Sequence, residues 1–206
     1  LYSNSGFEMQ YGKNNFINPN FLAFGKTENL PPKFLLFLDN QNLDDYEKDL
    51  NYAVNELKKE NLVAFPTETV YGLGAIGNST KAIKSIYVAK KRPLNNPLIA
   101  HAFSKKQAEK YIEFTEIAEV LANKFWPGPL TIIGQTKNNE YSKILSQGKS
   151  SLAIRVPSHP VALDLIKRVN VPILAPSANL SGGVSPTLAE HVINDFGPAF
   201  KGQGWE

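Results

Sequence analysis

The sequence contains no cysteine. That absence excludes disulfides, thiolate zinc sites and a cysteine nucleophile, and it suits a reducing compartment such as the cytoplasm. No apolar run reaches the roughly 18 residues that a membrane-crossing helix needs. The start shows no basic segment leading into an apolar one, as a secretory leader would, so no membrane association is expected. The first residue is Leu1 rather than methionine, which leaves an upstream start open. Charge of either sign is modest: 22 Lys and Arg stand against 19 Asp and Glu, for a net charge of +3. Such an excess leaves room for weak RNA binding without establishing it. The 3 histidines, His101, His159 and His191, have no metal-ligand spacing, so no protein metal site is expected. Neither a Ser-His-Asp arrangement nor a pair of acid–base carboxylates is visible.

What is present reads as globular. The 206 residues are 42% apolar and 20% charged, enough for one sizeable core or two small ones. Residues 1–43 are rich in Asn, Phe and Gly and are broken by Pro31-Pro32; Phe34–Leu38 is the one strand-like run. A helix is expected from Asp44, which with Glu47 forms a capping pattern, and Tyr46, Leu50, Ala53, Val54 and Leu57 share its apolar face. Leu62–Phe65 has the continuous apolar character of a central strand. A helix over 80–90 aligns Ala82, Ile83, Ile86, Tyr87 and Lys90. Leu98–Ala100 is a strand delivering His101, and Ser104 with Gln107 caps a further helix. The helix over 116–125 is expected to bury Ile117, Val120, Leu121 and Phe125. Strands follow at Leu130–Ile133, Leu152–Val156 and Val171–Ala175, with a surface excursion over 135–150 and a helix over 160–169. Ser185-Pro186 offers a last helix start, with Thr187 and Glu190 one register on. Helices and strands alternate irregularly, which indicates a mixed α/β (α+β) fold with a twisted, mixed sheet.

Polar islands separate these apolar runs. Phe65-Pro66-Thr67-Glu68-Thr69-Val70-Tyr71-Gly72-Leu73-Gly74 places hydroxyls, a charge and accessible backbone within ten residues. The same residues could simply cap a turn. It is neither a dinucleotide fingerprint nor a Walker loop, because the remaining glycines and the Lys-Ser/Thr ending are missing. Lys90-Lys91-Arg92 beside a proline turn suits a polyphosphate clamp or a solvated helix end. Arg155, on a strand between apolar neighbours, needs a buried partner or a ligand anion. Thr131 opens a strand after the Trp126-Pro127-Gly128-Pro129 turn. Ser177, Asn179, Ser181, Gly182, Gly183 and Ser185 form a small-residue loop after a buried strand. Together these groups favour positioning and charge stabilisation, as phosphoryl or nucleotidyl transfer requires.

Taken in order, the Phe65–Gly74 segment, Lys90-Lys91-Arg92-Pro93 with Asn96-Pro97-Leu98 and His101, Phe125–Thr131, Arg155-Val156-Pro157 with His159-Pro160, and Ala175–Gly182 resemble the YrdC/Sua5 family of threonylcarbamoyl-adenylate synthases. Asn96-Pro97-Leu98 and His101 resemble its threonine-using branch more than its carbamoyltransferase relatives. The resemblance implies a twisted open mixed sheet with flanking helices around a concave basic cleft. It implies a nucleotidyltransferase that makes threonylcarbamoyl-AMP and pyrophosphate from L-threonine, bicarbonate or CO2, and ATP, with Mg2+ on the phosphates. The product would feed a complex that modifies adenosine 37 of tRNA.

By the family pattern, Lys90, Arg92 and Thr67 are the catalytic candidates. Thr67, Tyr71, His101, Thr131 and Arg155 would bind substrate, and Lys90, Arg92, Ser177, Asn179 and Ser185 would bind nucleotide. The expected division is an N-terminal extension, 1–43, and a YrdC-like domain, 44–206. That domain is expected to lack the family's usual C-terminal portion and its separate Sua5 domain, with Phe34–Leu38 as a candidate replacement strand. The alternatives are a non-catalytic nucleotide- or RNA-binding protein of the same fold, or a related carbamoyltransferase domain.

Overall fold

The computed structural model describes residues 23–24 and 43–196. The expected strand Phe34–Leu38 lies outside the described residues. The elements are β1 (Ala23–Phe24), α1 (Leu43–Lys58), β2 (Leu62–Phe65), β3 (Gly72–Ile76), α2 (Thr80–Lys90), β4 (Ile99–His101), α3 (Lys105–Ala108), α4 (Glu116–Phe125), β5 (Thr131–Gln135), α5 (Glu140–Ser146), β6 (Ser151–Arg155), α6 (Pro160–Val169), β7 (Ile173–Leu174) and α7 (Ala189–Phe196).

The strands form one sheet in the order β1-β2-β3-β7-β4-β6-β5. Among the described strands only β4 and β6 run parallel; the other neighbours are antiparallel, so the sheet is mixed, as the irregular alternation predicts. Helix α1 buries Leu50, Ala53, Val54 and Leu57, the face its spacing predicts, each large aliphatic contributing about 2 kcal/mol. Tyr46 Oη donates to Asp164 Oδ2 at 2.8 Å, which ties α1 to α6. The helix begins at Leu43, so the expected Asp44 cap falls inside its first turn, and the Asp44 side chain lies outside the described residues. Helix α2 is capped by Ser79, whose Oγ accepts from Ala82 N at 3.1 Å, and it buries Ala82, Ile83, Ile86, Tyr87 and Lys90 as expected. It ends at Lys91, a non-glycine residue in the left-handed region at φ 51°.

Three expectations need correction, and one strand was not foreseen. Helix α4 buries Ala118 and Ala122 and turns Ile117 and Val120 outward, 73% and 65% exposed, with Phe125 at 45%. The helix carries two apolar stripes, and periodicity cannot tell which one meets the core; here the small side chains face inward and Leu121 packs at the margin. The 135–150 excursion is no bare surface loop. β5 extends through Gln135, and α5 follows, capped by Asn139, with Ser142, Leu145 and Ser146 buried. Helix α7 starts at Ala189, past the Ser185-Pro186 start, because the Pro186 carbonyl is used across the fold as an acceptor from Tyr71 N at 2.8 Å. Lastly, Gly72–Ile76 is a strand, although two glycines disfavour one. A Cβ on Gly74 would lie 2.7 Å from both Ile173 Cγ2 and Phe65 Cε1, so the Phe65 ring occupies the space that glycine leaves.

Candidate active site

The connection between β2 and β3 is built by Thr67. Its Oγ1 donates to Val70 O at 2.6 Å and accepts from the N–H groups of Thr69 and Val70 at 3.3 and 3.2 Å. The hydroxyl therefore shapes a tight turn, which aims the two following side chains at Arg155. Thr69 Oγ1 accepts from Arg155 Nη1 and Nη2, both at 3.2 Å, and Glu68 Oε1 lies 2.6 Å from Nη2. Burial pushes the Glu68 carboxyl up, but the Arg155 guanidinium and backbone N–H groups outweigh it and hold the carboxyl below its usual range. Arg155 Nε is buried with no hydrogen-bond partner, so the fork keeps unspent donor capacity.

Arg155 stands in a row set by strand register. His101 of β4 pairs with Arg155 of β6, and Arg155 pairs with Thr131 of β5. Directly opposed residues point to the same face of a sheet, so the three side chains share one face. His101 is 5% exposed; its Nδ1 lies 3.2 Å from Ile99 O, and the Phe65 ring meets its imidazole edge-on at 6.1 Å between centroids. Burial, reinforced by the Arg155 charge, pushes the imidazole down to about 4, so His101 is neutral at pH 7.

A second cluster surrounds Lys90, which is 1% exposed. Its Nζ donates to Ser177 O at 2.6 Å and, in a shorter contact, to Asn179 O. Its own carbonyl accepts from Ser181 N at 2.9 Å. Burial, with the nearby Arg92 charge, pushes the ammonium down to about 8, while Asp195 opposes the shift. Asn179 closes the turn by donating from Nδ2 to Leu180 O and Gly183 O at 2.7 and 2.9 Å, and Gly182 supplies the left-handed residue at φ 88°. Asn179 Oδ1 remains buried with no hydrogen-bond partner.

Backbone bonds join the two clusters. Ala178 N donates to Tyr71 O at 2.7 Å, Leu73 N to Pro176 O at 2.9 Å, and Gly72 bridges Ser177. Tyr71 is thereby fixed between the two polar loops. Arg92 lies further out, half-buried, donating from Nε to Asn96 O at 3.3 Å and from Nη2 to Pro97 O at 3.0 Å. Ser185 is exposed beside Pro186. Sequence reasoning gave no role to Glu68, Thr69 or Asp195. The first two sit inside the motif it singled out, and their pairing with a strand arginine, 86 positions beyond Thr69, is invisible along the chain. Asp195, whose Oδ2 accepts from Leu180 N at 3.0 Å, carried no local signal.

The Sua5/YciO/YrdC family model, described as telomere recombination, matches residues 55–202. A threonylcarbamoyl-AMP synthase of Bacillus subtilis is 50% identical over 141 residues, covering 68% of this chain and 41% of the relative. A protein of the same name from Psychromonas ingrahamii is 38% identical over 151 residues, covering 72% and 78%. Among solved structures, that of Pyrococcus abyssi Sua5 complexed with L-threonine superposes with a TM-score of 0.70 at 45% identity, covering 74% of this chain and 45% of that one. The chain thus spans less than half the length of the Bacillus and Pyrococcus proteins.

Proposed function

We propose, for a chain that belongs to the Sua5/YciO/YrdC family, that it makes L-threonylcarbamoyl-AMP and pyrophosphate from L-threonine, bicarbonate or CO2, and ATP. The observation that carries this reading is the joining of an arginine–histidine–threonine row to a lysine-held Ser/Asn loop through Tyr71 and Gly72. One cluster suits an amino-acid carboxylate, the other a nucleotide, and they share one wall. The names of the relatives and the threonine complex of the Pyrococcus protein support the same pairing of substrates.

In this reading the threonine amine adds to CO2, losing a proton, and becomes a carbamate. A carbamate oxygen then attacks the α-phosphorus of ATP, and the bond to pyrophosphate breaks. Arg155 receives carboxylate charge through its unspent donors. His101, held neutral, and Thr131 offer hydrogen bonds beside it, and Thr67 and Tyr71 shape the facing loop. Arg92 and Lys90 screen the phosphates, and Ser177, Asn179 and Ser185 hold the nucleotide side, with Asn179 Oδ1 as a ready acceptor. These groups position substrates and stabilise developing charge, which is what nucleotidyl transfer demands. Magnesium would enter with ATP and would offset the phosphate charge there, as the family resemblance implies. Among the described residues no three His, Cys, Asp or Glu side chains converge as a metal-holding group.

The product would pass to a tRNA threonylcarbamoyl-transfer complex in the cytoplasm; the net charge of +3 would allow weak RNA binding in that role. Among the described residues no helix is long and apolar enough to cross a membrane. The test is pyrophosphate release by the purified chain with ATP, Mg2+, bicarbonate and threonine. Release that depends on threonine is expected. No release, where a full-length relative works in the same assay, overturns the reading in favour of a binding protein of the same fold.

A further inference from the structure

The geometry points to Asp195, near the end of α7, as a positioning residue that latches the Ser177–Gly183 loop for nucleotide binding. The inference rests on the nucleotide role proposed for that loop, and it adds a residue outside the motifs named in the sequence analysis. Several backbone groups of the loop are tied down by side chains and by neighbouring backbone. Lys90 takes the carbonyls of Ser177 and Asn179 and gives its own carbonyl to Ser181 N. Asn179 Nδ2 takes the carbonyls of Leu180 and Gly183. Asp195 Oδ2 adds a tie from outside the loop, accepting from Leu180 N at 3.0 Å, a charge-assisted bond across 15 residues.

The same oxygen lies on the inner side of the turn. A Cβ placed on Gly183 would come within 3.7 Å of it and 3.2 Å of Leu180 O. The bond therefore links a loop proposed to hold nucleotide to a helix whose Ala189, Val192 and Phe196 are anchored in the core. The carboxylate also acts on Lys90. The charged groups that bear on the Lys90 ammonium are Arg92, which disfavours its charge, and Asp195, which favours it. Asp195 thus fixes a loop amide and helps keep the neighbouring ammonium charged.

Two variants of the full chain separate these effects. Asp195→Ala removes both acceptor and charge; Asp195→Asn keeps an acceptor oxygen and removes the charge. Amide hydrogen exchange at residues 180–183 is expected to quicken about tenfold or more in D195A, the loss of one hydrogen bond to a charged group, and to stay near wild type in D195N. In pyrophosphate release, the KM for ATP should rise about tenfold in D195A while the KM for threonine holds. In D195N the rise of that KM with alkaline pH should begin at lower pH than in wild type, because Lys90 loses its supporting charge. Exchange that is unchanged in D195A, or KM values for ATP and threonine that rise together, overturns the latch. Should D195A not fold, D195N decides: an ATP profile identical to wild type, with faster exchange at 180–183, overturns it. If the wild-type chain releases no pyrophosphate, the proposed function fails, and exchange alone still reads the latch.

Discussion

His101 and Arg155 stand opposite each other across the parallel β4–β6 pair, and burial, reinforced by the arginine's charge, keeps the histidine neutral. A neutral imidazole beside a guanidinium can donate or accept a hydrogen bond without repelling it. The arrangement has a stability signature. In the unfolded chain His101 binds a proton near pH 6.5, whereas in the fold it does so only near 4. Stability is therefore complete above about 6.5 and falls as pH drops from there toward 4, by on the order of 3 kcal/mol for this group. Denaturant unfolding at pH 7 and pH 4.5, with and without His101→Gln, checks this. The substitution should remove most of that pH dependence, and an imidazole that titrates normally by NMR would contradict it.

Lys90 gives opposite slopes for stability and function. Its folded value near 8 lies below the ordinary 10.5, so the unfolded chain holds more protons between the two, and stability rises with pH across that window. Over the same window the native ammonium is lost, and ATP affinity should fall. Lys90→Ala and Arg92→Ala should each lower threonine-dependent pyrophosphate release by about tenfold to a hundredfold, the worth of one charged hydrogen-bonding group. K90A should also loosen the loop over 177–183, whereas R92A, whose side chain bonds to Asn96 and Pro97, should leave that loop intact. Equal loosening by both variants would contradict the separation.

Glu68→Gln tests the ion pair at the strand exit. Both side chains are largely buried, 9% and 18% exposed, and removing one charge leaves Arg155 without its counter-ion. The expected loss is about 3 kcal/mol at pH 7, measured by chemical denaturation. Because the folded carboxyl lies below its ordinary value, its contribution is present above about pH 4.5 and lost as pH falls further, so E68Q and wild type should converge in acid.

Gly74→Ala should destabilise by about 1–3 kcal/mol through overpacking against Phe65 and Ile173. Thermal unfolding reads this directly. Combining G74A with Phe65→Leu should recover part of the loss, since the clash is with that ring; no recovery would place the strain elsewhere.

Much of the molecule was legible along the chain because local patterns and tertiary demands agree. The buried faces of α1 and α2 follow their helical spacing, and Lys90 falls on the inner face of α2 where the pattern puts it. The mixed sheet follows from irregular alternation. The misses occur where two local readings compete. Helix α4 offers two apolar stripes, and β3 hides its strand character behind glycines whose missing side chains make room for Phe65.

The motif residues themselves were determined by the sequence: a threonine-rich strand exit, a basic helix end, a strand arginine and a Ser/Asn loop, each with chemistry suited to a charged substrate. Only the tertiary structure decided their partners. Arg155 meets Glu68 and Thr69, Lys90 closes on the carbonyls of Ser177 and Asn179, and Asp195 reaches back to Leu180. The physical reason is distance. Residue type fixes what a group can donate or accept, but strand order and register fix which charges share a low-dielectric space, and that sharing sets their protonation and their role.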